Sequence, residues 1–479
     1  MRQKHFVALV VILSGTNAVA DTVTMDELFE HVAKSHPTFK VQDYRPQLTQ
    51  KSMESLIGRQ DWLLEARTGY GKDKFDESSN SQGEALNSSF SAGLRKQFWS
   101  FGGSLSLTHY VNRYERDYSD PGITSSIDDY RSNLRVSLGV PLWNNFGGIQ
   151  TRSFYDRLEF DLRIDQIAIL EVKENILRNV GHDYLVLVQL LQNELISHDT
   201  FISAMTLLEY IDAKGETDST VSIRDKNHTR RFLAEVKHNK DTIRKNLTQN
   251  RIELASYLMF DKLKTNDPIP NKFPSVGQQA VDELVAKLLN NSRELQILKI
   301  GVEQQEHSKT VAENDTNPNL NFSVSADASG SDNELDDSYN KESHGYDVGL
   351  NFSYPIGNTS ANARLESANI SRMRLNDSYR DTELQLESSL RSIYQELTEL
   401  SSLLETSGLM VKLATENIQS EFAAYKKGNV DIVLYIESIR EEASARLQHT
   451  NNMMRYQHVY LDYLALSDRL WTTERDKQN

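Results

Sequence analysis

The chain has 479 residues, a formal net charge of −15 and no cysteine. That balance excludes a disulfide-stapled domain and argues against a nucleic-acid binder. A mean hydropathy of −0.55 excludes a bundle of membrane-spanning helices. If the mature chain crosses a membrane, it must do so as a closed β-barrel.

Residues 1–20 read as a secretory signal. Arg2 and Lys4 supply the basic start, Phe6 to Leu13 a short apolar run, and Ala18-Val19-Ala20 the small-residue cleavage motif. Met25 to Gly58 is predicted helical, interrupted near His36-Pro37. Alternation of period 2 follows: Trp62, Leu64, Ala66, Thr68 and Tyr70 share one face, as do Leu86, Ser88, Phe90, Ala92, Leu94, Lys96 and Phe98. Gly102-Gly103 signals a turn, Leu105 to Thr108 resumes the alternation, and Asp117 to Asp129 is a polar loop. The strand Leu134 to Leu142 closes this region, with Pro141 just before its last apolar residue. Aromatics cluster at the strand ends (Trp62, Phe98, Trp99, Phe101, Trp143), as at a membrane–water interface. A sandwich core is the competing account, but no second sheet's worth of strands is available.

From Gly148 to Ala213 the pattern is helical, long enough for a rod on the order of 100 Å. A break is expected at Gly215 to Ser219, then a return helix from Val221 to Lys262. Pro268, Pro270 and Pro274 mark a boundary. One helix from Val276 to Glu313 is expected next, then a strand from Leu320, a polar loop Ser329 to Ser343, and a strand Tyr346 to Ile356. A second long helix, Asn362 to Lys426, carries Leu386, Leu390, Ile393, Leu397, Leu400 and Leu404 at alternating spacings of four and three, a coiled-coil seam. Lys427-Gly428-Asn429 breaks it, and a return helix runs to Trp471.

The halves follow one plan, with Pro141 and Pro355 spaced by roughly 214 residues. The expected organisation is therefore a signal over 1–20, a first structural repeat over 21–267 and a second over 268–479. The first repeat is longer between its strand landmarks by about 43 residues, which fits an inserted β-hairpin from about Leu86 to Tyr114. The expected fold class is mainly α with membrane β-barrel strands.

These features resemble the outer-membrane efflux protein (TolC) family. The resemblance is carried by Val140-Pro141-Leu142-Trp143 and Tyr354-Pro355-Ile356-Gly357 at the strand-to-helix junctions. It also rests on Arg293-Glu294-Leu295 ahead of Pro318-Asn319-Leu320, and on Tyr425-Lys426-Lys427-Gly428 followed by Val433-Leu434-Tyr435-Ile436-Glu437-Ser438. It implies a homotrimer in which each protomer lends four strands to a 12-stranded outer-membrane barrel and its helices to a periplasmic tunnel. Four strands cannot close a pore alone, so self-association is required. The place of the inserted hairpin is left open: in the barrel, capping its mouth, or outside the membrane.

No catalytic motif is present: there is no cysteine nucleophile, H-E-x-x-H, G-x-S-x-G or P-loop, and neither a cofactor nor a metal is expected. The candidates with a mechanism flank the helical breaks. Three copies of one carboxylate around an axis make a ring that favours cations and resists anions. The resemblance implies carboxylates constricting the periplasmic entrance; Glu437 matches one such position, Leu434 replaces the other, and Asp431 is an alternative one turn earlier. In the first half the candidates are Asp218 and Asp225, with Arg224 as a gate-pairing partner. Ordinary solvated helix-end charges remain the competing reading of each. Lys214, Gly215, Lys427 and Gly428 are the expected contacts for a periplasmic adaptor protein, which would link the duct to an inner-membrane pump. The expected function is a passive outer-membrane exit duct of a tripartite efflux pump or type I secretion system. The alternative is a periplasmic coiled-coil adaptor that never enters the membrane.

Overall fold

The computed structural model describes residues 24–77, 81–118, 127–217, 222–258, 281–340 and 343–471. The expected signal peptide, the proline-marked boundary and Asp218 lie outside them. Helices α1 (Met25–Ser35), α2 (Pro37–Gln42) and α3 (Tyr44–Ile57) open the described chain. Thr24 and Glu27 form a reciprocal capping box that starts α1. His36, extended because a proline follows, ends it, and Pro37 begins α2. Four strands follow: β1 (Leu63–Glu77), β2 (Ser81–Gln97), β3 (Ser104–Tyr118) and β4 (Ile127–Pro141). Helices α4 (Ile149–Thr217), α5 (Ile223–Leu258), α6 (Val281–Asn291) and α7 (Arg293–Asp315) lead to β5 (Asn319–Asp332). A single turn α8 (Leu335–Ser338) precedes β6 (Ser343–Ser353), and α9 (Thr359–Lys426) and α10 (Ile432–Leu466) end the fold.

Two expectations are corrected here. Gly215 does not break the first long helix, because α4 runs through it to Thr217; one interior glycine costs only about 1 kcal/mol in a helix. The helix expected over 276–313 is two helices among the described residues. Ser292 separates them, its hydroxyl accepting the Leu295 N–H at 3.4 Å.

The chain forms two compact units. One contains residues up to Tyr44, Gln166–Ile297 and Arg380 onward, and is helical. Its core joins Leu28, Phe29, Val32 and Phe39 to Leu177, Val180, Tyr184 and Leu187 of α4, Leu247 and Leu254 of α5, and Met454 and Leu461 of α10. Close packing is needed at Gly181, where a Cβ would stand 2.7 Å from Leu461 and 3.1 Å from Phe29. Leu386, Leu390, Leu397 and Leu400 of the heptad seam are buried.

The other unit contains Arg45–Asp165 and Leu298–Tyr379 and carries one antiparallel sheet of six strands in the order β1-β2-β3-β4-β5-β6. The expected inserted hairpin is β2 and β3, and it lies inside the sheet between β1 and β4, giving six strands where the resemblance implied four. Directly opposed residues share a face. One register row therefore reads Leu64, Leu94, Leu107, Val136, Ala326, Tyr346, and its neighbour reads Glu65, Gly93, Thr108, Arg135, Asp327, Gly345. The first face is apolar and bare: Leu64 is 71% exposed, Tyr346 87% and Leu350 67%. The second face is polar, with Arg95 3.8 Å from Glu65 and Arg135 3.6 Å from Asp327.

Both strand-to-helix junctions use a left-handed asparagine. Asn145 (φ 63°) accepts the backbone N–H of Gln150 and Thr151 through its side chain, while Asn358 (φ 42°) donates to the Thr316 carbonyl. The β2–β3 turn packs on the first junction. Trp99 lies edge-on to Tyr155, with ring centroids 5.4 Å apart, and its carbonyl would be 1.9 Å from a Cβ at Gly148. Gly148 also has φ +73°, whereas neighbouring Gly147 (φ +65°) faces open space. Gly148→Ala is therefore expected to lower the thermal unfolding midpoint well beyond Gly147→Ala, which bears only backbone strain of about 1 kcal/mol. Equal midpoints for the two variants would contradict this.

Candidate functional site

The hairpin ends of α4, α5, α9 and α10 meet in one apolar cluster of the helical unit. Ala204, Leu207 and Ile211 of α4 pack with Phe232 and Val236 of α5 and with Ile432, Tyr435, Ile436 and Ile439 of α10. From α9, Phe422 stacks on Tyr435 with centroids 5.0 Å apart, and Tyr425 lies 6.0 Å from Tyr435 and from Tyr210. These rings fix where the exposed turns project.

Gly428 ends α9 as a left-handed C-cap. At φ +78° it lets the Asn429 N–H donate to the Ala424 carbonyl (3.1 Å) and its own N–H to the Tyr425 carbonyl (2.9 Å). No atom lies within 4 Å of a Cβ built there, so the protomer leaves the turn open, and Lys427 beside it is exposed. Lys214 lies in the last described turn of α4, with Gly215 following it inside the helix. Asp431 caps α10, its carboxylate accepting the Val433 N–H at 2.8 Å. Asp225 does the same work on α5: it accepts from the Ser222 N–H (3.2 Å) while Ser222 Oγ accepts from the Asp225 N–H (3.1 Å). Arg224, next to it, is exposed.

The charges of Asp225 and Asp431 both act on Tyr425. Burial pushes the Tyr425 phenol up to about 12, and the charges of Asp225, Tyr210 and Asp431 add to that shift. Glu437 is placed differently. It pairs with Arg440 at 3.3 Å, and Arg440 also binds Glu235 of α5 at 2.7 Å and covers the Phe232 ring. Its charge is already partly balanced. Leu434, at the position where the resemblance implied a carboxylate, is 52% exposed.

A second charged site, also in the helical unit, escaped the sequence. Arg293, at the start of α7, is buried; its Nη1 lies 2.6 Å from Glu174, 3.4 Å from Glu171 and 4.0 Å from Asp468. Glu174 accepts the N–H groups of Leu470 (2.7 Å) and Trp471 (3.4 Å), and Arg293 donates to the Trp471 carbonyl. Trp471 then lies edge-on to Phe39, with Lys173 over both rings. The three carboxyl groups approach within 4.8 Å of one another, and the Arg293 guanidinium is the cation among them. Arg293 was legible only as part of a motif, since its partner Glu174 is 119 residues away. His182 and His458 were likewise unpaired in sequence; their rings stack 4.9 Å apart with Nδ1 atoms 2.6 Å apart, beside Asp462. Burial, reinforced by His182, pulls His458 down to about 4.

Three carboxyls around one guanidinium leave excess negative charge. Burial pushes Glu174 up to about 7, against Arg293 and the two N–H donors, and it pushes Glu171 and Asp468 up as well. A carboxyl whose folded pKa exceeds its unfolded value takes up a proton on folding. Its contribution to stability is therefore greatest at low pH and declines as pH rises from 4.5 to about 7. Glu174→Gln is expected to flatten the pH dependence of the unfolding midpoint across that window. Arg293→Ala should cost about 3–5 kcal/mol, most at neutral pH, where the carboxylates lose their counter-charge. A midpoint in Arg293→Ala that falls equally at pH 5 and pH 8 would contradict the shared-proton account.

Residues 284–459 match the model of the outer membrane efflux protein family. A comparison with curated protein sequences finds no match. Among solved structures, the outer-membrane channel OprN is similar with a TM-score of 0.69 at 13% identity, over 93% of this chain and 89% of that one. VceC, an outer membrane protein of Vibrio cholerae, gives 0.67 at 12% identity, over 92% and 96%. The CmeC outer membrane channel of Campylobacter jejuni gives 0.68 at 11% identity, over 98% and 93%. The family match is thus confined to residues 284–459, and the chain shares its fold with these outer-membrane channels over most of its length.

Proposed function

We propose that the protein is a passive outer-membrane exit duct of a tripartite efflux pump or a type I secretion system, working as a homotrimer. The observation that carries this is the two-faced sheet. Its apolar face is exposed on β1, β2, β3, β4 and β6, with α8 lying over β4 and β5 at Ser132 and Gly330, and its polar face is lined with Glu65, Arg95, Arg135 and Asp327. An exposed apolar face of this kind is stable against lipid, and a polar face suits an aqueous lumen. Exposed apolar residues along α9 in the helical unit, Leu384, Leu403, Leu409, Met410 and Leu413, support packing against sister copies. A periplasmic adaptor standing apart from the membrane would have no use for the bare sheet.

In this reading the end of α4 at Lys214-Gly215 and the turn at Lys427-Gly428 meet a periplasmic adaptor that connects the duct to an inner-membrane pump. The open left-handed turn at Gly428 leaves room for a partner's backbone. Asp225 and Asp431 are the preferred constriction carboxylates, because both start helices at the hairpin ends and the charges of both act on Tyr425; Glu437, balanced by Arg440, contributes less. Arg224 stands next to Asp225 as its gate partner. Transport then needs no chemical step. The pump supplies direction, and the duct supplies a bore whose entrance favours cations over anions.

Both aspartates cap helices, so charge and cap must be separated in the test. Asn keeps the cap, whereas Ala forfeits about 1 kcal/mol of it. In planar bilayers, Asp225→Asn with Asp431→Asn is expected to raise single-channel conductance and move the reversal potential towards weaker cation preference. An unchanged reversal potential would remove both carboxylates from the gate, and a water-soluble monomer would refute the duct itself.

A further inference from the structure

The described sheet is open: β1 pairs only with β2, and β6 only with β5. Both edges pass through the apolar band, where an unpaired backbone group in lipid costs several kcal/mol. We propose that β2 and β3 are staves of the barrel wall, and that three copies close a wall of eighteen strands, not the twelve expected from the family resemblance. This deepens the trimeric reading above and rests on it.

Three observations carry the inference. The hairpin's outward residues Phe90, Ala92, Leu94, Leu105, Leu107 and Val111 continue the apolar face of β1 and β4, with His109 the polar residue among them. A hairpin capping the mouth or lying in water would gain nothing from such a face. Second, the hairpin turn is built into the barrel–helix junction, where Trp99 rests on Gly148. Third, the apolar band drifts across the sheet as a tilted wall requires. Its nine-residue span is centred on Ala66 of β1 (Trp62 to Tyr70) and on Leu350 of β6 (Tyr346 to Tyr354), each reaching one residue beyond its strand. Register carries Ala66 through Ala92, His109, Leu134 and Ala328 to His344, six residues short of Leu350. Six residues at about 3.3 Å over five spacings of about 4.8 Å give a strand tilt of about 40°. That lies inside the range for closed membrane barrels, about 35–45°.

β1 and β6 run in opposite directions, so β6 of one copy can join β1 of the next antiparallel. Continuing the drift places Leu350 opposite Ala66 or Thr68 of the neighbouring copy. Since diameter grows roughly linearly with strand number, the wall would be about half as wide again as one of twelve strands.

The chain has no native cysteine, so disulfide mapping has no background. Leu350→Cys combined with Ala66→Cys, and separately with Thr68→Cys, is expected to give a covalent ladder ending at the trimer in one of the two pairs. Cryo-electron microscopy of the unmodified protein in lipid nanodiscs is expected to count eighteen strands. A covalent trimer whose wall has twelve strands, with the hairpin outside it, would overturn the inference and leave the duct standing. No inter-copy disulfide in either pair, together with particles lacking threefold symmetry, would overturn both.

Discussion

The constraint on which the rest depends is that a backbone N–H or C=O cannot be left unpaired where water is absent. Six strands with one bare apolar face and two open edges satisfy that rule only in company. In the duct we propose, the protomer is therefore unfinished, and its association would be a matter of hydrogen bonds before it is one of contact area. The same rule explains the helices. Their backbone is satisfied internally, so they can be long and largely polar, with buried leucines such as Leu386, Leu390, Leu397 and Leu400 along a seam.

Much of this was legible in the residues because alternation reports which face a side chain occupies. The expected strands Leu134 to Leu142 and Tyr346 to Ile356 lie in β4 as far as Pro141 and in β6 as far as Ser353, and their apolar residues there fall on one side of the sheet. Alternation does not report neighbours, however. The excess residues of the first half could be counted as a hairpin, but only the register shows it seated between β1 and β4. Helix boundaries were less legible where tertiary packing outvoted local signals. Gly215 was taken up into α4, while Ser292 split a stretch whose apolar spacing (Leu284, Leu288, Leu295) continues across it. The candidate site was legible as charges near turns. That Asp225 and Asp431 share a tyrosine, and that Glu437 is tied to Arg440 and Glu235, depended on which helices became neighbours.

The Arg293 cluster shows the opposite case, a site with almost no local signature. One guanidinium gathers Glu171 and Glu174 from α4 and Asp468 from the end of α10, while the cluster also grips the backbone at Leu470 and Trp471. Buried charges of this kind add little net stability over apolar residues of the same volume, but they are intolerant of losing one member. Their value here is positional. They fix the register of α7 and of the chain after α10 against α4, within the unit whose hairpin ends carry the candidate gate.

The contact of Trp99 on Gly148 bears on how such a helix could move. With a carbonyl pressed where a side chain would begin, the first turn of α4 has no freedom to spin about its axis. The β2–β3 turn and the start of α4 are thereby held as one piece, so a rotation of that first turn has to carry the hairpin with it.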